Sequence, residues 1–327
     1  MEYRQLGRTG VQFPAVGFGC MGLIGWYGER DDAEARATVL EALDRGVTHF
    51  DTAQSYQNGA NESFVGELLR SRRRNVFLAT KYGITRDPEG RLVVDNDPAA
   101  LRRAVDASLA RLGTDYIDLF YLHRIDRRTP IEDSIAALQG LVVAGKLRYV
   151  GLSECSVLTL RRACSVHPIA AVQSEYSLWS RDPEDGMLAA CRELGAGFVA
   201  YSPLGRGFLA GNFRSADELP AADARRGQPR FTGDNVVHNQ RLTTALAAFA
   251  ARLGCTAPQL AIAWVLARDQ NVVAIPGMKT RAHLRDNLAA LDVRLDAAAM
   301  RELDALLASI GVHGERHPPA MMAAIDR

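Results

Sequence analysis

Residues 116–153 read YIDLFYLHRIDRRTPIEDSIAALQGLVVAGKLRYVGLS, and this stretch decides the fold. It opens with YIDLFYLH (116–123), an apolar run of strand length rich in β-branched and aromatic residues. Thr129-Pro130 marks a helix start, because the hydroxyl can cap and the proline's fixed φ and missing N–H suit the first turn. Thr129 with Glu132 also matches a capping box. Ile131, Ile135, Leu138 and Val142 then recur at helical spacing and would face a sheet. Gly145 stands just past them as a stop, and RYVGLS (148–153) is strand again. Strand, amphipathic helix, strand is the repeating unit of a parallel sheet.

The same alternation extends in both directions. Strand-like runs occur at PAVGFG (14–19), VTHFDT (47–52), VFLATK (76–81), AAVQSEY (170–176), GFVAYS (197–202) and VVAIPG (272–277). Asp97-Pro98 repeats the cap-and-proline start, and glycines 46, 113, 195 and 254 sit where helices should stop. Eight strand–helix units with no Pro-, Gly- or Ser-rich linker predict an α/β chain folded as a single (β/α)8 TIM barrel, one domain over residues 1–327. YRQLGRTGVQFP (3–14), with a turn at Arg8-Thr9-Gly10, predicts an N-terminal β-hairpin ahead of the first barrel strand. One long irregular loop, from about Pro203 to Asn239, follows strand 7; loops of that length are usually lids or binding loops.

Composition narrows the function classes. The chain has 327 residues, 47% hydrophobic and 24% charged, with a formal net charge of +1. That is globular composition, with no broad field to attract nucleic acid or an anionic membrane surface. The densest apolar run, AIAWVLA (261–267), is far shorter than the roughly 18 residues a membrane span needs. MEYRQLGRTG has no apolar signal core, and the five cysteines are scattered without C-x-x-C spacing. The expectation is a cytoplasmic protein without structural disulfides. Seven histidines with no H-x-H or H-E-x-x-H spacing argue against a metal-dependent hydrolase, so no metal is expected.

Three consecutive strands carry polar residues at or just past their C-terminal ends: Asp51 and Tyr56 in HFDTAQSY, Lys81 in FLATKYG, and His123 in DLFYLHR. That end of a strand–helix barrel is where active sites are built. Taken singly, each residue is more often a cap, a turn residue or a structural side chain. Together they suit the reduction of a carbonyl, in which charge develops on oxygen and a proton must be delivered. Tyr56 would give the proton, and the Lys81 ammonium would favour its phenolate. Asp51 would keep Lys81 charged and aimed, and His123, in either protonation state, has a donor for the substrate oxygen. GFGCMG (17–22) also fits the G-x-G-x-x-G dinucleotide fingerprint. However, IGWYGERDD separates it from the next helical pattern, and a Rossmann fold gives Tyr56, Lys81 and His123 nothing to do.

From GFGCMG to IPGMKTRAHLRDN the chain resembles the aldo-keto reductase family. YLHRIDRRTPIED and AYSPLGRGFLAG resemble its bacterial, fungal and plant branch acting on varied aldehydes. The resemblance implies a (β/α)8 barrel with a catalytic tetrad of Asp51, Tyr56, Lys81 and His123. It also implies NADPH bound in extended form without a Rossmann domain. Ser153 and Gln173 would hold the nicotinamide carboxamide, Tyr201 would stack on its ring, and Cys20 and Met21 would border it. Ser202, Leu204, Gly205, Arg206 and Gly207 would cradle the pyrophosphate. Lys279, Thr280, Arg281 and Arg285 would grip the 2′-phosphate, with Asn287 on the adenine. A basic cluster at a helix start is unfavourable for the macrodipole unless it binds an anion. Trp26, Tyr27 and Trp179 are candidates for the substrate pocket, and HGERHPPAMM (313–322) for a lid. The chain departs from the family pattern twice: Glu154 follows Ser153 where many members carry Asn, and Gln57 follows Tyr56 where Gly is common.

The expected function is NADPH-dependent reduction of a small aldehyde or ketone to the alcohol, with Tyr56 as general acid and no obligatory protein partner. The alternative is a nicotinamide-sensing binding subunit with little turnover, as in the potassium-channel β subunits that resemble this family. Tight cofactor retention without turnover, together with a stable protein partner, would mark that second case.

Overall fold

The structure, a computed structural model, describes residues 1–211 and 213–327. Strands β1 (Tyr3–Gln5) and β2 (Gln12–Pro14) form the antiparallel hairpin, with Tyr3 opposite Pro14. Eight parallel strands follow: β3 (Phe18–Gly19), β4 (His49–Asp51), β5 (Phe77–Tyr82), β8 (Ile117–Leu122), β9 (Leu147–Ser153), β10 (Ile169–Glu175), β11 (Gly197–Tyr201) and β12 (Val272–Ile275). They are hydrogen-bonded in chain order. The intervening β6 (Ile84–Arg86) and β7 (Leu92–Val94) make a small hairpin beyond β5. The first and last strands close the barrel through parallel bridges at Val16–Ala274 and Gly19–Gly277, with Gly17 N donating to Ala274 O at 2.8 Å.

Helices α1 (Asp32–Asp44), α2 (Ala60–Leu69), α3 (Pro98–Leu112), α4 (Ile131–Val143), α5 (Val157–Val166) and α6 (Met187–Leu194) connect successive barrel strands. Four helices follow β11: α7 (Gly233–Arg252), α8 (Ala257–Ala267), α9 (Arg281–Ala289) and α10 (Ala297–Ile310), and a short α11 (Pro319–Ala323) precedes the C-terminus. Strand side chains alternate between two cores, as the pleat requires. Leu119, Tyr121, Ala171, Val199 and Val273 fill the barrel with Phe13 from the hairpin as a plug, whereas Phe120, Val150, Val172 and Phe198 face the helices. Asp51, Lys81, His123 and Gln173 fall on the inward phase at the C-terminal end. The apolar run 261–267 belongs to α8, with Ala261, Ile262, Trp264 and Val265 in the outer core. Among the described residues no single helix is long and apolar enough to cross a membrane.

Two local expectations change. Asp97 caps α3 as expected, accepting from Ala99 N and Ala100 N at 2.9 and 3.0 Å. Thr129 does not cap α4: Pro130 takes the N-cap position with no side-chain cap. The reason lies upstream, where Asp126 organises its own turn, accepting from Arg128 N at its side chain and from Thr129 N at its carbonyl. Glu132 then pairs with Arg162. A capping box does form at α8, between Thr256 and Gln259. The long segment after β11 is irregular only to Thr232; 3₁₀ turns at Gly205–Ala210, Ala216–Glu218, Ala224–Gly227 and Pro229–Phe231 precede α7. It is tied to the loop after β3, with Ala224 N donating to Trp26 O at 3.1 Å and Gly28 N to Asp223 Oδ2 at 2.7 Å.

Candidate active site

Asp51 ends β4, Lys81 lies near the end of β5 and His123 follows β8, so parallel pairing of these neighbours brings all of them to one mouth of the barrel. Lys81 is fully buried and Asp51 is 2% exposed. The ammonium is hydrogen-bonded to Asp51 Oδ1 and donates to Thr52 O at 2.8 Å, while Gln173 Nε2 donates to Asp51 Oδ2 at 2.8 Å. A buried lysine alone would tend to shed its proton. Burial does pull Lys81 down, but the Asp51 carboxylate and Tyr56 together hold it above the ordinary lysine value.

Tyr56 starts a 3₁₀ turn after β4, with its ring centroid 5.3 Å from Lys81 Nζ and 6.0 Å from the His123 ring, which stands at 80° to it. Burial raises the Tyr56 hydroxyl above its usual pKa, and the Lys81 charge works against that rise. His123 is pushed well below the imidazole range by burial, by Arg124 and by Lys81, so its ring is neutral near pH 7. Its Nδ1 lies 3.3 Å from Ser55 Oγ. With that serine donating, the proton sits on Nε2, where it can be given to a substrate oxygen. Nothing in the sequence singled out Ser55.

A cavity of about 380 Å³ runs from Asp51 and Tyr56 to the start of α9. Cys20, Met21, Tyr27, Gln173 and Tyr201 line its inner part; Ser202, Leu204, Arg206 and Gly207 form the middle; Lys279 and Asn287 lie at the far end. The Cys20 thiol is pushed far up by burial and by Asp51, so it is no nucleophile. Lys279 Nζ donates to Tyr27 O at 2.8 Å, and Asn287 Nδ2 to Gly277 O at 3.3 Å. The other sequence candidates lie beside the cavity. Ser153 is buried at the end of β9, and Thr280 caps α9 by accepting from His283 N at 3.2 Å. Arg281 and Arg285 point along the surface to Glu34 and Glu41 of α1, at 2.9 and 2.7 Å. Gly205 packs against Trp179, which stacks on Phe208 at 4.9 Å and is buried under the long segment. Trp26 is at the mouth, 6.3 Å from the Tyr56 ring.

Both departures from the family pattern occupy left-handed backbone. Gln57 has φ of 51° and Glu154 of 52°. Such positions favour glycine and asparagine, so each residue is held there by its surroundings. For Glu154 the cause is plain. Oε1 accepts from Tyr201 OH at 2.8 Å and Glu175 N at 2.9 Å, and Oε2 accepts from Arg316 Nη2 at 3.1 Å. Burial would raise this carboxyl, but Arg316 and Arg124 bring it down to about 2. Glu154 therefore fixes the Tyr201 ring and ties the 313–318 segment to the barrel. Beside it, Arg206 Nη2 bonds Glu175 Oε2 at 3.1 Å and lies 3.0 Å from His317 Nδ1. Arg124 and Glu175 are not among the sequence candidates, and Arg316 and His317 enter there only within the 313–322 lid segment; the signals present are the unusual Glu154 and the HGERH segment.

The model of the aldo/keto reductase family matches residues 15–308. The chain is 43% identical over 322 residues to an NADP(+) aldo-keto reductase, yakc, of Schizosaccharomyces pombe, covering 97% of this chain and 94% of that protein. Among solved structures it resembles the glycerol dehydrogenase AKR11B4 of Gluconobacter oxydans (27% identity, 94% of both chains, TM-score 0.81). It also resembles the holo form of the aldo-keto reductase AKR11C1 of Bacillus halodurans (29% identity, 97% of this chain and all of that one, TM-score 0.76). A third likeness is to the thermostable aldo-keto reductase Tm1743 bound to the inhibitor epalrestat (32% identity, 94% of this chain and all of that one, TM-score 0.74).

Proposed function

The chain belongs to the aldo/keto reductase family of oxidoreductases, and from that premise we propose that it reduces an aldehyde or ketone to the alcohol with NADPH, Tyr56 acting as general acid. One observation carries this: a charged, buried Asp51–Lys81 pair beside Tyr56 and a neutral His123, all at the inner end of one long cleft.

The residues of the cleft fit a dinucleotide. Tyr27 OH is buried there without a partner, and Gly22 and Gly277 have open space where a Cβ would stand. Tyr201, locked by Glu154, offers an aromatic face to a nicotinamide, and Ser153 and Gln173 flank it for the carboxamide. The backbone of 202–207, with Gly205 at φ 54° and Gly207 at φ 88°, suits close approach of a pyrophosphate, with Arg206 for its charge. Lys279, Thr280, Arg281 and Arg285 would receive the 2′-phosphate. When bound, the cofactor supplies the hydride.

The chain's own residues do the rest. His123 Nε2–H orients the carbonyl oxygen beside Tyr56. Tyr56 is protonated across the neutral range and gives its proton as charge develops on that oxygen. Lys81, kept charged by Asp51, stabilises the phenolate left behind. The test is a fluorescence titration with NADPH and NADH, followed by an aldehyde panel read at 340 nm. Micromolar or tighter NADPH binding with turnover is expected. Binding without turnover on any carbonyl would favour the sensing subunit, and no binding would overturn the cofactor site.

A further inference from the structure

Arg124 directly follows His123 and is 4% exposed. Its Nη1 donates to His123 O at 2.6 Å and lies 3.5 Å from Ser153 Oγ. Its Nε is buried with no partner, and Nη2 takes part in none of the hydrogen bonds among the described residues. The neighbouring guanidinium groups are matched differently. Arg316 sits on Glu154 at 3.1 Å, Arg206 on Glu175 at 3.1 Å, and Arg230 lies 4.0 Å from Glu175. No ion pair among the described residues includes Arg124.

A guanidinium stays charged in proteins, and a buried charge without a counter-charge is costly. The surrounding charges do not balance it. Arg124, Arg206, Arg230 and Arg316 face Glu154 and Glu175 within the cluster and the more exposed Asp182, 3.1 Å from Arg316, at its edge, and His317 is kept neutral by burial and by Arg206, with a pKa lowered to about 4. Four guanidinium groups thus face three acids, and Arg124 is the one that pairs with none of them. Its free edge, Nε with Nη2, is the edge that takes a carboxylate through two parallel hydrogen bonds. Arg124 is the chain neighbour of the histidine placed on the reacting oxygen, and its charge is felt at His123, Glu154 and Tyr201.

Building on the carbonyl reduction proposed above, we propose that Arg124 binds a carboxylate carried by the substrate, so that the protein prefers oxo-acids, with the carboxylate a few bonds from the carbonyl, over neutral aldehydes and ketones. A matched pair tests this: succinic semialdehyde and butanal, each with saturating NADPH, on wild type and Arg124→Gln. Wild type is expected to show at least about tenfold higher kcat/KM for the acid, the scale of hydrogen bonds to a charged group. In Arg124→Gln that preference should collapse, chiefly through KM of the acid, while NADPH affinity stays within about twofold. Equal kcat/KM for the two aldehydes in wild type overturns the inference without needing the variant. An equal loss on both aldehydes in Arg124→Gln also overturns it, because Arg124 would then act through His123. So does a large loss of NADPH affinity, which would assign the anion to the cofactor. If wild type reduces neither aldehyde, carbonyl reduction falls first and this inference with it.

Discussion

The two ends of the cleft carry ion pairs of opposite character. At the inner end, Lys81 and Asp51 are sealed in the barrel, held by their own strands and by Gln173 of β10. At the outer end, the Arg281–Glu34 and Arg285–Glu41 pairs have arginine side chains 48% and 57% exposed. A buried pair is costly to break but keeps one geometry, which suits proton transfer. An exposed pair is worth little, so an incoming phosphate can displace the glutamates at small cost. On the proposed function, the cleft is preorganised where bonds would change and exchangeable where the cofactor's phosphate would enter and leave.

The sharpest way to break this contrast is at the inner end. Tyr56→Phe removes the proposed proton donor and leaves the cleft lined, so kcat is expected to fall by about 10²–10⁴, with NADPH affinity within about twofold by fluorescence titration. Comparable turnover would remove Tyr56 from the chemistry. The pH profile sharpens the same point. Because His123 is held neutral well below its ordinary pKa and Tyr56 keeps its proton beyond the usual tyrosine value, reduction should be flat from about pH 6 to 9 and be lost only as pH rises through the Tyr56 value. An acid limb near pH 6.5 would contradict a neutral His123.

Glu154→Gln tests the buried network around Tyr201. It leaves Arg316 largely buried with its main acid gone, an expected loss of about 3 kcal/mol in unfolding free energy. The sign follows from the depressed carboxyl. Glu154 contributes fully above the ordinary value of 4.5, and the contribution is lost as pH falls towards about 2. The gap between wild type and variant in urea unfolding should therefore narrow below about pH 4.5. Glu154→Asn, which suits the left-handed backbone, should recover part of the loss; no recovery would leave backbone strain out of the account.

The smallest effect belongs to the outer end. Glu34→Gln or Glu41→Gln should tighten NADPH two- to fivefold, roughly the worth of an exposed pair, and leave NADH unchanged. Equal changes for both cofactors would mean that Arg281 and Arg285 do not read the 2′-phosphate.

Much of this was legible in the chain, because strands and helices write short periodic patterns. The β8–α4–β9 unit follows directly from YIDLFYLH, the 131–142 spacing, Gly145 and RYVGLS. The shared placement of Asp51, Lys81 and His123 is legible because they stand at the ends of strands whose order the barrel fixes. Thr129 has the chemistry of a cap but does not cap, because Asp126, three residues upstream, organises the turn. Likewise α7 begins earlier than Asn239: Thr232 takes its N-cap position without a side-chain cap, and Val236 is the one buried apolar residue of the helix ahead of Asn239.

The barrel, its strand order and the polar residues at its mouth can be read from the chain, since these depend on local periodicity and on one topological rule. How the charges are matched is set by packing in three dimensions: Glu154 with Arg316, Glu175 with Arg206, Arg281 with Glu34, and Arg124 with no acid among the described residues. Those pairings join residues 31 to 247 positions apart. Chain spacing holds no information about them; they follow from which side chains share a buried volume where an unmatched charge is costly.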